Sequence, residues 1–338
     1  MSRNTSGAPS LQLDPEREVD RIVGMLRNCL RGALKRRGLV VGVSGGVDSS
    51  VCAALAARAC GAALVIGLAL PEQDSEPESL SLARDWAHRL GIEFVVNDIT
   101  PILNASGCYV ARDAAIRRLV PEYGDGWRCK VVTAGAPATT AGRLTVFDIV
   151  TESPTGDRIR VRIPPDEYRT IVAATNFKQR TRTMMEYYHA DVRHFAVVAT
   201  PNRQEYDQGF FVKGGDGLGD VKPIAHLYKT QVYQLAEYLG VPEAIRRRMP
   251  TTDTFSLPQT QEEFFFSLPH EELDLLLYAY NEGIPAAAVA DWTGRPVEQI
   301  DRAFVDVERK RRTTAYLHMP PLLVEPIAGV GASALEAG

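Results

Sequence analysis

The 338-residue chain contains no C-x-x-C pair, no H-E-x-x-H or comparable histidine spacing, and no phosphate loop ending in Gly-Lys-Ser/Thr. Its five cysteines, Cys29, Cys52, Cys60, Cys108 and Cys129, are an odd number at wide spacings, which excludes a disulfide framework or a zinc site as the organising feature. Cys52 and Cys60 fall on an apolar helical stretch and read as core residues. No apolar run approaches the roughly 20 residues needed to cross a bilayer. A formal net charge of −4 leaves no basic footprint for nucleic acid. Membrane and nucleic-acid partners are therefore not expected. Met1 to Leu13 are polar and small, without the apolar centre of a signal peptide, so residues 1–13 are expected to be disordered and the chain cytoplasmic.

What is present is a core, with 45% hydrophobic residues, and an alternation of helix and strand periods. Asp14-Pro15 opens a helix in which Val19, Ile22, Val23, Leu26, Leu30 and Ala33 recur at helical spacing until Gly38. A strand from Leu39 to Val43, a helix from Ser49 to Ala59, an apolar strand from Ala63 to Leu70, a helix ending near Leu90 and a strand from Glu93 to Val96 follow. This order predicts an α/β fold, a doubly wound parallel sheet with helices on both faces. Residues 104–170 break the rhythm and read as an inserted loop plus a β-hairpin around Ser153-Pro154-Thr155-Gly156. A helix from Thr175 to Ala190 and a strand from Phe195 to Ala199 resume the pattern, and the rest is mostly helical. One domain over 14–330 and a flexible tail at 331–338 are expected.

The strand that runs into Gly42-Val43-Ser44-Gly45-Gly46-Val47-Asp48-Ser49 has the composition of an oxyanion-binding turn. Glycines let the backbone fold tightly round an anion, the freed N–H groups and the following helix attract negative charge, and Ser44 and Ser49 add hydroxyl donors. Asp48 would repel a phosphate unless a cation came with it. The turn therefore points to a nucleotide phosphate carrying Mg2+, with Asp48 as a metal ligand. Two other readings compete. Gly42 to Gly46 also fits the G-x-S-x-G elbow of a serine hydrolase with Ser44 as nucleophile, but only one strand precedes Ser44 and an elbow gives no reason for Asp48-Ser49. A purely structural turn explains neither the adjacent glycines nor the carboxylate.

Ser44-Gly45-Gly46-Val47-Asp48-Ser49 resembles the S-G-G-x-D-S loop of the ATP pyrophosphatases, a superfamily that activates carboxylates or carbonyls as adenylates. The second half resembles the NAD synthetase family in order and spacing. The matching motifs are Asn176-Phe177-Lys178-Gln179-Arg180-Thr181-Arg182, Ala199-Thr200 followed by Glu205, and Gly209-Phe210-Phe211-Val212-Lys213. After them come Gly215-Asp216-Gly217 with Asp220, then Lys229, then Pro250-Thr251-Thr252-Asp253. The resemblance implies an adenine nucleotide alpha-hydrolase-like, Rossmann-like fold with ATP as co-substrate. It places Gly42, Val43, Ser44, Gly45, Gly46, Val47, Asp48, Ser49, Thr200, Lys229 and Thr251 at ATP. Arg180, Lys213 and Asp220 fall at the acid substrate, joined by Arg309 and Lys310 near the C-terminus. Asp48 and Glu205 resemble Mg2+ ligands.

The resemblance further implies an ammonia-dependent, AMP-forming amide ligase whose acid is nicotinic acid adenine dinucleotide, working as a homodimer and without a covalent nucleophile. No glutaminase domain fits before Ser44, so nitrogen would come from free ammonia or a separate glutaminase chain. The sequence also departs from the family pattern. Ala199-Thr200-Pro201 stands for Gly-Thr-Asp, Val212 for a threonine, Arg309-Lys310 for His-Lys, and Pro71 to Glu76 lacks an arginine that the family often has there. Residues 104–170 have no counterpart in the short ammonia-dependent enzymes, so a second reading keeps the adenylation but changes the acid to a specialised metabolite. A non-catalytic adenine-nucleotide sensor is a further reading. A tRNA-thiolating role is disfavoured by the missing cysteine pairs and the acidic balance.

Overall fold

The structure, a computed structural model, describes residues 9–133, 147–249, 255–259, 265 and 268–327. Asp14 caps α1 (Pro15–Arg31) by accepting from the Arg17 N–H at 3.1 Å, and Pro15 supplies the first helical turn with a ready-set φ. The helix ends at Gly32 rather than continuing to Gly38, because the Gly32 and Leu34 N–H groups close onto the Asn28 and Cys29 carbonyls at 2.8 and 2.9 Å. Leu11 and Leu13, expected within a disordered 1–13, are instead seated: Gln234 accepts from the Leu13 N–H at 3.0 Å and donates to the Leu11 carbonyl at 3.2 Å.

The chain continues as β1 (Leu39–Gly42), α2 (Val47–Cys60), β2 (Val65–Ala69), α3 (Pro77–Leu90), β3 (Glu93–Val96), α4 (Thr100–Ala105) and α5 (Cys108–Arg117). Then come β4 (Arg128–Thr133), β5 (Phe147–Glu152), β6 (Arg158–Arg162), α6 (Pro165–Arg193), β7 (Ala196–Val198) and α7 (Arg203–Gln208). The last elements are α8 (Lys229–Tyr238), α9 (Glu243–Arg246), α10 (His270–Asn281), α11 (Ala286–Thr293) and α12 (Val297–His318). None of the described helices is long and apolar enough to cross a membrane.

β3, β2, β1 and β7 form one parallel sheet in that order, so the doubly wound expectation holds. Side chains alternate across it. Leu39, Val41, Ala196 and Val198 pack with α1, α2, α3 and α8, whereas Val40, Ile66, Leu68 and Val197 pack with α4, α5 and α6. The carboxyl ends of β1, β2 and β7 share one edge, where open α/β sheets bind ligands.

The interruption is narrower and more structured than a loop and hairpin over 104–170. Residues 108–117 belong to α5, and α6 already begins at Pro165, because an acidic first turn with Asp166 and Glu167 starts a helix that apolar periodicity reveals only further on. Between them β4, β5 and β6 make a three-stranded antiparallel sheet, and the expected turn at Ser153 to Gly156 closes β5 onto β6. Its inner face, Cys129, Val131 and Ile149, is buried with Ile116 and Ile171. Residues 255–259 lie along β4. The Leu257 N–H donates to the Cys129 carbonyl at 3.0 Å, the Cys129 N–H to Ser256 Oγ at 2.9 Å, Lys130 Nζ to the Pro258 carbonyl at 3.1 Å, and Gln259 to the Val131 carbonyl.

Candidate active site

Between β1 and α2 the chain turns on its own serines. Ser49 Oγ accepts from the Ser44 N–H at 3.2 Å and donates to the Gly46 carbonyl at 3.0 Å, and Ser50 Oγ donates to the same carbonyl at 2.8 Å. Gly45 has φ +77°, and a Cβ there would lie 2.5 Å from the Ser79 carbonyl, so only glycine lets α3 approach this closely. Ser44 Oγ sits 3.2 Å from Ser49 Oγ and 3.3 Å from the Gly46 nitrogen. Among the described residues that line the pocket above it none is a histidine, so the hydrolase reading finds no Ser–His pair there.

The pocket encloses about 450 Å³. Ser44, Gly46, Val47, Asp48 and Ser49 line one end, with Thr200 after β7, Glu205 on α7 and Lys229 at the start of α8. Lys229 is 1% exposed and its ammonium pairs with Asp48 Oδ2, while Asp48 Oδ1 accepts from Asn202 Nδ2 at 3.2 Å. Burial alone would lower the Lys229 pKa, but the Asp48 and Glu205 carboxylates outweigh it and hold the ammonium charged well above its ordinary range. Asn202 and Glu205 form a reciprocal cap on α7: the Asn202 N–H donates to Glu205 Oε2 at 3.0 Å and the Glu205 N–H to Asn202 Oδ1 at 3.3 Å. Sequence and cap together fix the two carboxylates around one lysine. Asp48 and Glu205 offer the hard oxygen donors that Mg2+ takes, and among the described residues no group of three or more His, Cys, Asp or Glu side chains gathers as a metal site.

Two arginines that the sequence reading did not single out stand in the same wall. Arg182 on α6 donates from Nε to the Leu70 carbonyl at 3.2 Å, and its Nη2 is buried without a hydrogen-bond partner. Arg248 donates to Ser79 Oγ at 2.7 Å and to Glu76 at 2.5 Å, directly behind the glycine turn. Arg182 lies inside the Asn176–Arg182 motif and was there to be found. Arg248 ends the run Arg246-Arg247-Arg248, which reads as a solvated helix end. Asn202 carried a signal, since Asn-x-x-Glu is a capping box.

Behind the wall, a buried network fixes the loop that follows β2. Lys178 Nζ donates to Glu72 Oε1 at 2.9 Å and Asp74 Oδ2 at 2.6 Å, Arg112 pairs with Asp74, and the Tyr109 hydroxyl donates to Glu72 Oε2 at 2.6 Å. Burial would raise the Asp74 pKa, yet Lys178 and Arg112 hold it below the ordinary carboxylate value.

Gly42 backs onto Glu186, whose Oε1 would lie 2.3 Å from a Cβ at that position. Burial first, and the Asp216 charge second, push the Glu186 pKa from 4.5 to about 8 against the opposing pull of Arg182. Because the folded-state value is the higher one, the contribution of this carboxyl to stability is complete below pH 4.5 and is lost as pH rises through about 8. Glu186→Gln should flatten the decline in urea-melt stability between those limits, and an unchanged profile would refute the assignment.

The residues expected at the acid substrate are placed outside the pocket lining. Arg180 is exposed and donates to the Lys213 carbonyl at 3.2 Å, and Lys213 Nζ donates to the Tyr316 and Met319 carbonyls at 2.7 and 2.8 Å at the end of α12. Asp220 accepts from the Val197 N–H at 2.7 Å and from the Tyr187 hydroxyl at 3.3 Å. Arg309 pairs with Asp306 at 2.5 Å, and Lys310 bonds Asp306 at 2.9 Å and the carbonyl of Phe265, a pocket residue, at 3.0 Å. Thr251 and the tail 331–338 lie outside the described residues.

A glycine turn, an ammonium and two guanidinium groups gathered beside Asp48 and Glu205 make a pocket suited to nucleotide phosphates, and this is the class of the ATP pyrophosphatases. Residues 18–119 and 159–314 match the family model for NAD synthase. The chain is 55% identical over 326 residues to the NH(3)-dependent NAD(+) synthetase of Rhizobium meliloti, covering 96% of this chain and 97% of that one. It is 54% identical over 318 residues to that of Rhizobium rhizogenes, covering 94% and 95%. A solved NH3-dependent NAD synthetase of Campylobacter jejuni shares the fold with a TM-score of 0.61 at 19% identity, over 93% of this chain and 100% of that one. The chain belongs to the NAD synthase family, and it is a ligase that forms C–N bonds.

Proposed function

We propose that the chain adenylates the carboxylate of nicotinic acid adenine dinucleotide with ATP and aminates it with ammonia, giving NAD, AMP and pyrophosphate. The observation that carries this reading is the meeting of the Ser44–Ser49 turn, Lys229, Arg182 and Arg248 with Asp48 and Glu205 in one pocket. The turn and Lys229 hold the phosphates and stabilise the charge that develops on departing pyrophosphate as the acid's oxygen attacks the α-phosphorus. Asp48 and Glu205 would hold Mg2+, which when bound neutralises part of the phosphate charge. Ammonia then attacks the acyl carbon and AMP leaves, so no side-chain nucleophile is needed. In this reading Thr200 and Thr251 contact ATP, and Arg180, Lys213, Asp220, Arg309 and Lys310 serve the acid. A cytoplasmic setting, where ATP is at hand, suits the reaction.

A homodimer has support on α6. Met184, Tyr188 and Val192 recur every fourth residue on one face and are 56%, 59% and 65% exposed, an apolar stripe that a second copy of the helix would cover.

Incubation with ATP, Mg2+, ammonium and nicotinic acid adenine dinucleotide should yield one AMP and one pyrophosphate per NAD. Release of ADP, or AMP formation independent of the acid, would overturn the reading. Sedimentation should show twice 37.1 kDa, and a monomer at working concentration would remove the dimer.

A further inference from the structure

We propose that Phe147 of the inserted sheet, stacked on Tyr168 of α6, gives this pocket a stacking subsite for the planar heteroaromatic ring of one of the two nucleotides in the reaction; the inference rests on the adenylation reading above. The family match stops at residue 119 and resumes at 159, so Phe147 belongs to a segment the family pattern does not describe. Yet Phe147 lines the same pocket as Ser44 and Lys229.

The two rings stack with centroids 4.4 Å apart and planes 13° from parallel. Both are fixed by backbone. Phe147 opens β5 opposite Thr133 and accepts from the Ile163 N–H at 3.0 Å, and the Tyr168 N–H donates to the Pro164 carbonyl at 3.0 Å in the first turns of α6. Each is partly buried against the core beneath the sheet, and each also lines the pocket.

The pocket is also polarised. Tyr168, Val172, Thr175, Gln179 and Arg182 line it at spacings of three and four, one continuous face of α6. At 1.5 Å per residue this face spans about 21 Å, from an aromatic and apolar end to the end held by Arg182 and the glycine turn. A nucleotide has the same polarity, with phosphates at one end and a flat ring at the other. An aromatic pair in the lining favours such a ring over an aliphatic group, because stacking on it adds to area burial.

The test is a KM-against-kcat split on the full-length enzyme. Phe147→Ala and Phe147→Leu should each raise KM for one nucleotide, ATP or the pyridine dinucleotide, by about 5- to 150-fold, more than they change kcat, while Phe147→Trp restores it. The substrate whose KM moves identifies the ring. Unchanged KM values in the alanine variant, or full retention of KM in the leucine variant, would overturn the subsite. A lower melting temperature with unchanged KM would show a packing role only, and would also overturn it. Calorimetric binding of ATP and of the dinucleotide to the same variants reads the subsite without turnover, so its failure can be told apart from failure of the ligase reading.

Discussion

Asp48→Asn should reduce kcat/KM for ATP by about 10²- to 10³-fold, on the order of 3–4 kcal/mol of transition-state stabilisation, with the fold intact. The substitution keeps the size of the side chain and a hydrogen bond to Asn202, and removes only the charge that faces Lys229. Lys229 retains Glu205 nearby, so the lysine is not left without a carboxylate. Pyrophosphate release reports the loss, and a melting curve close to wild type separates it from unfolding. Glu205→Gln should act in the same direction, since an amide can still accept from the Asn202 N–H and preserve the cap. Wild-type turnover in either variant would remove both residues as metal ligands.

Lys178→Met should cost about 3–5 kcal/mol, because it removes the ammonium from two buried carboxylates and leaves Asp74 to Arg112 and Glu72 to the Tyr109 hydroxyl. The side chains of Lys178, Glu72 and Asp74 are 1%, 0% and 7% exposed, so solvent screens them little. A melting temperature lower by about 4–7 °C is expected for a chain of 338 residues. Adding Glu72→Gln and Asp74→Asn should recover part of the loss, since neutral side chains no longer need the lysine. If the single variant melts like the wild type, the network is not holding the loop after β2.

What the sequence made legible was local or strictly periodic. β3 falls at Glu93–Val96 as expected, and the glycine turn, Thr200, Glu205 and Lys229 meet as anticipated, because strand ends in a parallel sheet must converge on one edge. What stayed hidden depends on partners far along the chain. Lys178 meets Asp74 across 104 positions, and Arg248 meets Ser79 across 169; neither pairing leaves a trace in spacing. The first turns of α6 were missed because their polar residues face solvent or the pocket rather than the core. Lys213 shows the reverse case: its motif was clear, but its amine is engaged by carbonyls at the end of α12.

The seating of residues 255–259 along β4 bears on the order in which the molecule assembles. The bond from the Cys129 N–H to Ser256 spans 127 positions, so it closes a loop comprising much of the chain. Closure entropy grows only logarithmically with loop length, and most of it is already spent once the parallel sheet has gathered the strands on either side. Ser256→Ala is therefore expected to hasten unfolding more than it slows folding, and the reverse in stopped-flow kinetics would place the strap in the folding nucleus.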